Sequence, residues 1–301
     1  MDAQLYEAGP LKRRRRTAAA VEQLEQQILD VLADDHPQSV RHVFYRMTDP
    51  RLLEPVEKSE DGYKQVQKRM VKMRRAGLIP YAWITDATRR GYFVDTFSGS
   101  GDFLRRVAGL YRSDLWQQAD AYCEVWTESR SIAGTIQDDC EELAVSLYPC
   151  GGFSSITLAY EAAEMINGRR DGKPVIIFYV GDFDPAGVLI DVALERELRS
   201  HLLPDVVMTF KRIGITLDQI ETYDLPGKPR KAGDRRAPHI LETVEAEALP
   251  AGILRRLLRA EVEALLPANA LRVARVAEES ERSYLVDLAA AVQRSKTGRS
   301  E

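Results

Sequence analysis

The chain of 301 residues is 45% hydrophobic, which is enough apolar material for packed cores and enough length for two domains. Its three cysteines, Cys123, Cys140 and Cys150, show neither CxxC spacing nor a nearby histidine, which argues against a zinc site or disulfide framework and for reduced thiols in a cytoplasmic protein. No apolar run approaches the roughly 20 residues of a membrane span, and the N-terminal basic tract has no hydrophobic stretch behind it, so neither secretion nor membrane insertion is expected.

The net charge of −4 hides an asymmetry. Of the 42 Lys and Arg and 46 Asp and Glu, residues 1–118 hold 20 and 16, leaving 22 and 30 for the remainder. A basic half facing DNA and an acidic half holding cations would account for the split, and so would an ordinary solvated surface.

Residues 1–18 read as a basic arm containing LKRRRR at 11–16, either touching phosphates or forming a plain tail. Behind it Val21, Leu24, Ile28 and Val31 recur at helical spacing. After a loop at 34–38, Ser39 can cap a short helix carrying Val40, Val43, Phe44 and Met47, which Asp49-Pro50 ends. A third helix is expected from about Gly62 to Arg75, stopped by Gly77. The aromatic and β-branched stretch LIPYAWITDATRRGYFV that follows reads as a β-wing. Three helices and a wing predict a winged-helix (α+β) domain over 19–96.

The small, polar tract FSGSGD opens a predicted linker at 97–118. From 119 to 301, strands expected at 121–127, 144–149, 175–180 and 206–211 alternate with helices at about 130–142, 154–167 and 186–202. That alternation predicts a Rossmann-like α/β domain with a parallel sheet, and the stretch from about Leu241 onward predicts helices packed on it.

The sharpest local signal is GDFDPAG at 181–187, directly after the strand VIIFYV. It puts Asp182 and Asp184 at the C-terminal edge of a parallel sheet, where such sheets bind ligands. Two carboxylates at i and i+2 can converge on a hard cation, magnesium above all; Asp, Pro and Gly are equally the residues of a plain turn. Glu128 ends the strand CEVWTE in the same way, and three carboxylates along one edge would repel one another without a cation.

On the short capped helix, taking about 100° per residue from Val40, the apolar positions fall within about 60°, with Arg41 near 100° and Tyr45 near 140°. Tyr45 is therefore expected off the apolar face and beside Arg41, which could grip a phosphate or stabilise a phenolate. An aromatic at a surface or dimer contact is the plainer reading of Tyr45. Lys64, Lys68, Lys72 and Arg75 line one side of the third helix, with Arg46, Arg89 and Arg90 nearby. Contacts from these residues would be to phosphates and salt-sensitive; a solvated face is the alternative.

The segments VWTESRSIAG and IIFYVGDFDPAGVLI resemble the Toprim motifs of topoisomerase VI A subunits, and SVRHVFYRM resembles the motif carrying the cleaving tyrosine in that family and its meiotic double-strand-break relatives. GITLDQIETYDLPGKPRKAGDRR and VEAEALP resemble segments of short prokaryotic, phage or plasmid members, so the likeness spans roughly residues 35 to 260. It implies a winged-helix domain followed by a Toprim domain, Tyr45 as nucleophile supported by Arg41, and Glu128, Asp182 and Asp184 holding Mg²⁺ or Mn²⁺. It also implies double-stranded DNA as substrate, a nucleoid-associated homodimer in which Tyr45 of one chain meets the carboxylates of the other, and a separate ATPase subunit. No GxxxxGK[ST] loop occurs here, so no ATP site is expected in this chain. CGGFSS at 150–155 departs from the family's Gly-rich or GxP stretch, so Gly151 and Gly152 are given no role. A magnesium endonuclease using water, and a DNA-binding protein without catalysis, are the two alternatives.

Overall fold

The computed structural model describes residues 16–85, 94–151, 156–169, 172–185, 187–230, 240 and 242–297. The basic arm up to Arg15 lies outside the described residues, as do Arg89 and Arg90 in the stretch predicted as a wing.

Three capped helices open the fold. In α1 (Ala18–Asp34), Thr17 Oγ1 accepts from the Ala20 amide, and Leu24, Ile28 and Leu32 are buried one turn apart. In α2 (Val40–Met47), Ser39 Oγ accepts from the His42 amide. In α3 (Glu60–Arg75), Ser59 Oγ caps Gly62, with Glu60 and Asp61 in the first turn and Lys72, Arg74 and Arg75 in the last, each sign placed to complement the helix dipole. Lys64, Lys68, Lys72 and Arg75 are exposed on α3, and Arg46 is exposed on α2. Of the expected wing, the described part is a 3-10 turn at Tyr81–Trp83 and a parallel bridge between Gln38 and Ile84.

The tract read as a linker is structured. Ser100–Ala108 forms α4, which lies along the long α10 (Ala270–Thr297) so closely that a Cβ on Gly101 would stand 2.6 Å from Gln293 Cγ. Gly101 therefore serves helix contact and not chain flexibility. Asp102 Oδ2 accepts from the Ser98 amide at 2.9 Å, and Arg112 pairs with Glu278 at 2.9 Å, tying both ends of the tract down.

The sheet elements follow the expected alternation: β1 (Tyr122–Thr127), α5 (Arg130–Glu142), β2 (Ser146–Pro149), α6 (Ile156–Gly168), β3 (Val175–Val180), α7 (Gly187–His201) and β4 (Met208–Gly214). All four strands pair in parallel, in the order β2-β1-β3-β4. Central β1 and β3 are buried almost throughout, as a parallel sheet covered on both faces requires. Cys123, Val125, Phe178 and Val180 face one core, together with Ile132, Ile136, Leu254 and Leu258. Trp126, Ile177 and Tyr179 face the other, against Ala159, Ala162, Ile190 and Leu194 of α6 and α7.

Beyond the sheet come α8 (Leu217–Thr222), a short ribbon of β5 (Lys228–Pro229) and β6 (Glu242–Thr243), a 3-10 turn at Ala246–Ala248, α9 (Ala251–Glu263) and α10 (Ala270–Thr297). Of the two late helices, α9 packs on the sheet side as expected, while α10 packs chiefly on α4. The apolar residues of α1, α2 and α3 belong to the same continuous core as α5, α9 and one face of the sheet.

Candidate functional site

Thr127 of β1 pairs with Val180 of β3, so Glu128 and Gly181 leave the sheet side by side. Glu128 Oε2 crosses to accept the Asp182 amide at 2.9 Å. The crossing needs glycine at 181, where a Cβ would sit 2.8 Å from that oxygen and 2.7 Å from Tyr179 Oη. Asp182 Oδ1 in turn accepts from Ala246 N at 2.8 Å, while Phe183 and Val244 exchange backbone hydrogen bonds of 2.8 and 2.9 Å. Asp184 Oδ1 accepts from Gly187 N at the start of α7. Asp184 therefore performs the turn chemistry that Asp-Pro-Gly permits.

Two residues that the sequence did not single out complete this edge. Arg212 of β4 ion-pairs with Asp191 at 2.7 Å and donates to the carbonyls of Gly181, Asp182 and Gly187 at 3.0, 3.2 and 2.9 Å. One fixed guanidinium fork thus holds the whole Asp-bearing loop. Glu247, 5% exposed on the 3-10 turn, accepts from Ser129 Oγ at 3.2 Å.

Burial pushes Asp182 up to about 8, reinforced by the charges of Glu128 and Glu247. Glu128 and Glu247 are also shifted upward, burial again being the largest cause. Buried carboxylates that raise one another's pKa are the electrostatic setting of a hard cation. Tyr179 Oη, buried and without a hydrogen-bond partner, points into the same place. The donor chemistry fits a divalent metal. The arrangement is not a closed cage, since among the described residues no group of three His, Cys, Asp or Glu side chains is placed to hold one. One oxygen each of Glu128, Asp182 and Asp184 is engaged with a backbone amide instead.

Tyr45 lies on the other side of the 245–247 turn. Expected off the apolar face, it is only 7% exposed, because α2 is covered twice: by the helical core on one side and by the 3-10 turn on the other. A helical wheel registers one apolar face and misses a second neighbour. Phe44 meets its ring edge-on at 5.4 Å, and Lys58 Nζ stands 5.3 Å from the ring centroid. Burial, and then the neighbouring Glu245 carboxylate, raise the phenol far above its ordinary pKa, with Arg41 opposing.

Arg41 is beside Tyr45 as the helical spacing requires, and its Nη1 is 2.5 Å from Glu245 Oε2. Lys228 pairs with the other oxygen of the same carboxylate. Burial alone would raise Glu245, but these two cations, with a hydrogen bond from Tyr45, hold it at about 2. Lys228, Glu245 and Glu247 fall in segments quoted above for their family likeness, yet nothing in their spacing gave them a role. Lys58 and Arg212 carry no sequence signal at all.

Tyr45 and the carboxylates thus come together within one chain, on opposite sides of a single turn, whereas the family likeness implies that they meet between two chains. Glu128 and Asp182 join as expected, with Glu247 added. No protein-family model, curated protein or solved structure matches the chain.

Proposed function

We propose that the chain cleaves double-stranded DNA by magnesium-dependent transesterification, as an A-subunit-like relative of topoisomerase VI, its first three helices acting as a winged-helix domain and its sheet as a Toprim domain. The observation that carries this reading is the meeting of Tyr45, Arg41 and the buried carboxylates Glu128, Asp182 and Glu247 around the 245–247 turn.

In the proposed step, Tyr45 Oη gives its proton to a water molecule that enters with the DNA, and the phenolate oxygen attacks a backbone phosphorus. The P–O bond to the neighbouring deoxyribose breaks, and that oxygen leaves and takes up a proton. The phosphotyrosine ester keeps the phosphodiester's energy, so the reverse reaction reseals the strand. Arg41 offsets charge on the phosphoryl oxygens. Glu128 and Asp182, with Asp184 or Glu247, would hold Mg²⁺ or Mn²⁺, which when bound polarises the phosphoryl group and stabilises the leaving oxygen. The exposed row Lys64, Lys68, Lys72 and Arg75, with Arg46, fits phosphate contacts along the duplex. A homodimer would cut both strands, and strand passage would draw on a separate ATPase subunit.

A second reading, a metal-dependent endonuclease using water, is favoured by one observation: Tyr45 is buried and its phenol strongly disfavours ionisation. Supercoiled plasmid incubated with Mg²⁺ or Mn²⁺ and then denatured, with and without protease, separates the two. Linear DNA freed from protein only by protease, and lost in both Tyr45→Phe and Asp182→Ala, supports the tyrosine. Cleavage that survives Tyr45→Phe and dies in Asp182→Ala assigns the reaction to water. Metal-independent binding without cutting leaves a DNA-binding role alone.

A further inference from the structure

The cations around Tyr45 have a pattern of their own. Three of them, from separate parts of the chain, gather about one carboxylate: Arg41 on α2, Lys58 ahead of α3 and Lys228 on β5. Arg41 and Lys228 each take one oxygen of Glu245. Lys58 Nζ stays at the Tyr45 ring by donating to the carbonyls of Pro226 and Gly227 at 2.6 and 3.0 Å. No carboxylate pairs with Lys58 among the described residues, and burial and the charge of Lys228 both act against its ammonium form. Positive groups held this close together, one of them without an anion of its own, make an anion site.

We infer that Arg41, Lys58 and Lys228 form the seat of a single phosphodiester group beside Tyr45, and that Glu245 occupies this seat in the free protein as an internal substitute for the phosphate. The inference rests on the DNA-cleaving reading for the identity of its occupant. A phosphodiester carries one negative charge shared over two non-bridging oxygens, as a carboxylate does, so it can take over both cations from Glu245 with no change in the net charge of the seat. Arginine suits either anion, since its fork bonds two oxygens at once. Lys58, already in place over the phenol, supplies a contact that Glu245 does not use. Displacement of Glu245 would put the phosphate against Tyr45 and move the carboxylate away from the phenol, so the free protein is held closed until a backbone phosphate arrives.

The test is binding of a short labelled duplex in EDTA, so that no cutting occurs, over a range of salt concentrations, with inorganic phosphate as competitor. Glu245→Gln empties the seat of its carboxylate and should tighten binding on the order of tenfold. Lys228→Ala and Lys58→Ala should each weaken binding and flatten the slope of log K against log salt by about 0.9, the loss of one phosphate contact. Inorganic phosphate that competes as well as a matched length of duplex would assign the seat to free phosphate and overturn the phosphodiester assignment. Glu245→Gln binding no tighter than wild type, or an unchanged salt slope in Lys228→Ala, overturns the inference. Lys228 is half exposed, so its variant decides the matter if Glu245→Gln fails to fold. The two readings fail separately: tighter binding by Glu245→Gln with no Tyr45 adduct in the Mg²⁺ plasmid assay keeps the seat and removes the tyrosine chemistry, whereas an adduct in that assay with no gain in binding does the reverse.

Discussion

Asp182 Oδ1 accepts the backbone amide of Ala246 at 2.8 Å. Since Glu245 and Glu247 flank Ala246, this one bond sets where both carboxylates stand, one toward Tyr45 and the other toward Glu128. Disturbing Asp182 should therefore be felt on both sides of the turn.

Magnesium should stabilise the protein through the sheet edge. Ligand that binds only the folded state raises the melting temperature by mass action. Millimolar Mg²⁺ is expected to raise Tm in wild type and to have little effect in Asp182→Asn or Glu128→Gln, as read by thermal melts with Mg²⁺ against EDTA. Equal shifts in all three proteins would place the metal elsewhere.

Glu124 should give the fold a pH dependence independent of the site. It is 1% exposed within β1, and burial raises its carboxyl to about 7 despite hydrogen bonds from Trp126 and Tyr122. A folded pKa above the unfolded value means that the neutral form is favoured on folding. Its contribution is complete below the unfolded pKa of about 4.5 and is lost as pH rises through about 7, amounting to about 3 kcal/mol. Glu124→Gln should remove that slope, so wild type and variant should converge at about pH 4 and separate at about pH 8 in urea titrations. Parallel profiles would show that Glu124 is ionised in both states.

Arg212→Lys keeps the charge but not the fork. Lysine cannot reach Asp191 and three loop carbonyls together, so a loss of about 2–4 kcal/mol is expected from the unpaired carbonyls and the broken ion pair. The Mg²⁺-dependent gain in Tm should fall with it, while far-ultraviolet circular dichroism stays native. Full retention of the metal effect would relieve Arg212 of a positioning role.

Gly181→Ala and Tyr179→Phe should act in opposite directions. The alanine Cβ would press on Tyr179 and on the Glu128 carboxylate, an overpacking worth about 1–3 kcal/mol. Tyr179→Phe removes a buried hydroxyl without a partner and should stabilise the metal-free protein by about 1 kcal/mol. A destabilised Tyr179→Phe would mean that the hydroxyl has a bound water or ion to lose.

The sheet was legible because its signals are local. Runs such as VIIFYV are continuous apolar stretches of strand length between turn formers, and Ser39 announces its helix one residue ahead, whereas α3 starts at Glu60 behind Ser59, two residues before the expected Gly62. The DxD edge followed from the alternation, since a parallel sheet puts every strand end on one side. Tyr45's burial did not, because the cover comes from residues about two hundred positions away. The same separation hid Glu245, which acquires meaning only where it meets Arg41 and Lys228. FSGSGD misled for a related reason: small residues permit either a flexible tether or a close helix crossing, and composition does not say which.

The helices that carry Tyr45 and the sheet that carries Asp182 draw on a single apolar interior extending from Leu24 to Val262. Such an interior melts as one, so the chain should show one cooperative transition, and residues 16–85 alone should not hold a native fold. For the proposed cleavage it also restricts how the cut duplex would be parted. On the proposed reading, swinging the helix of Tyr45 away from its own carboxylates would tear that interior open, so a hinge for separating DNA ends would lie between molecules and not inside this one.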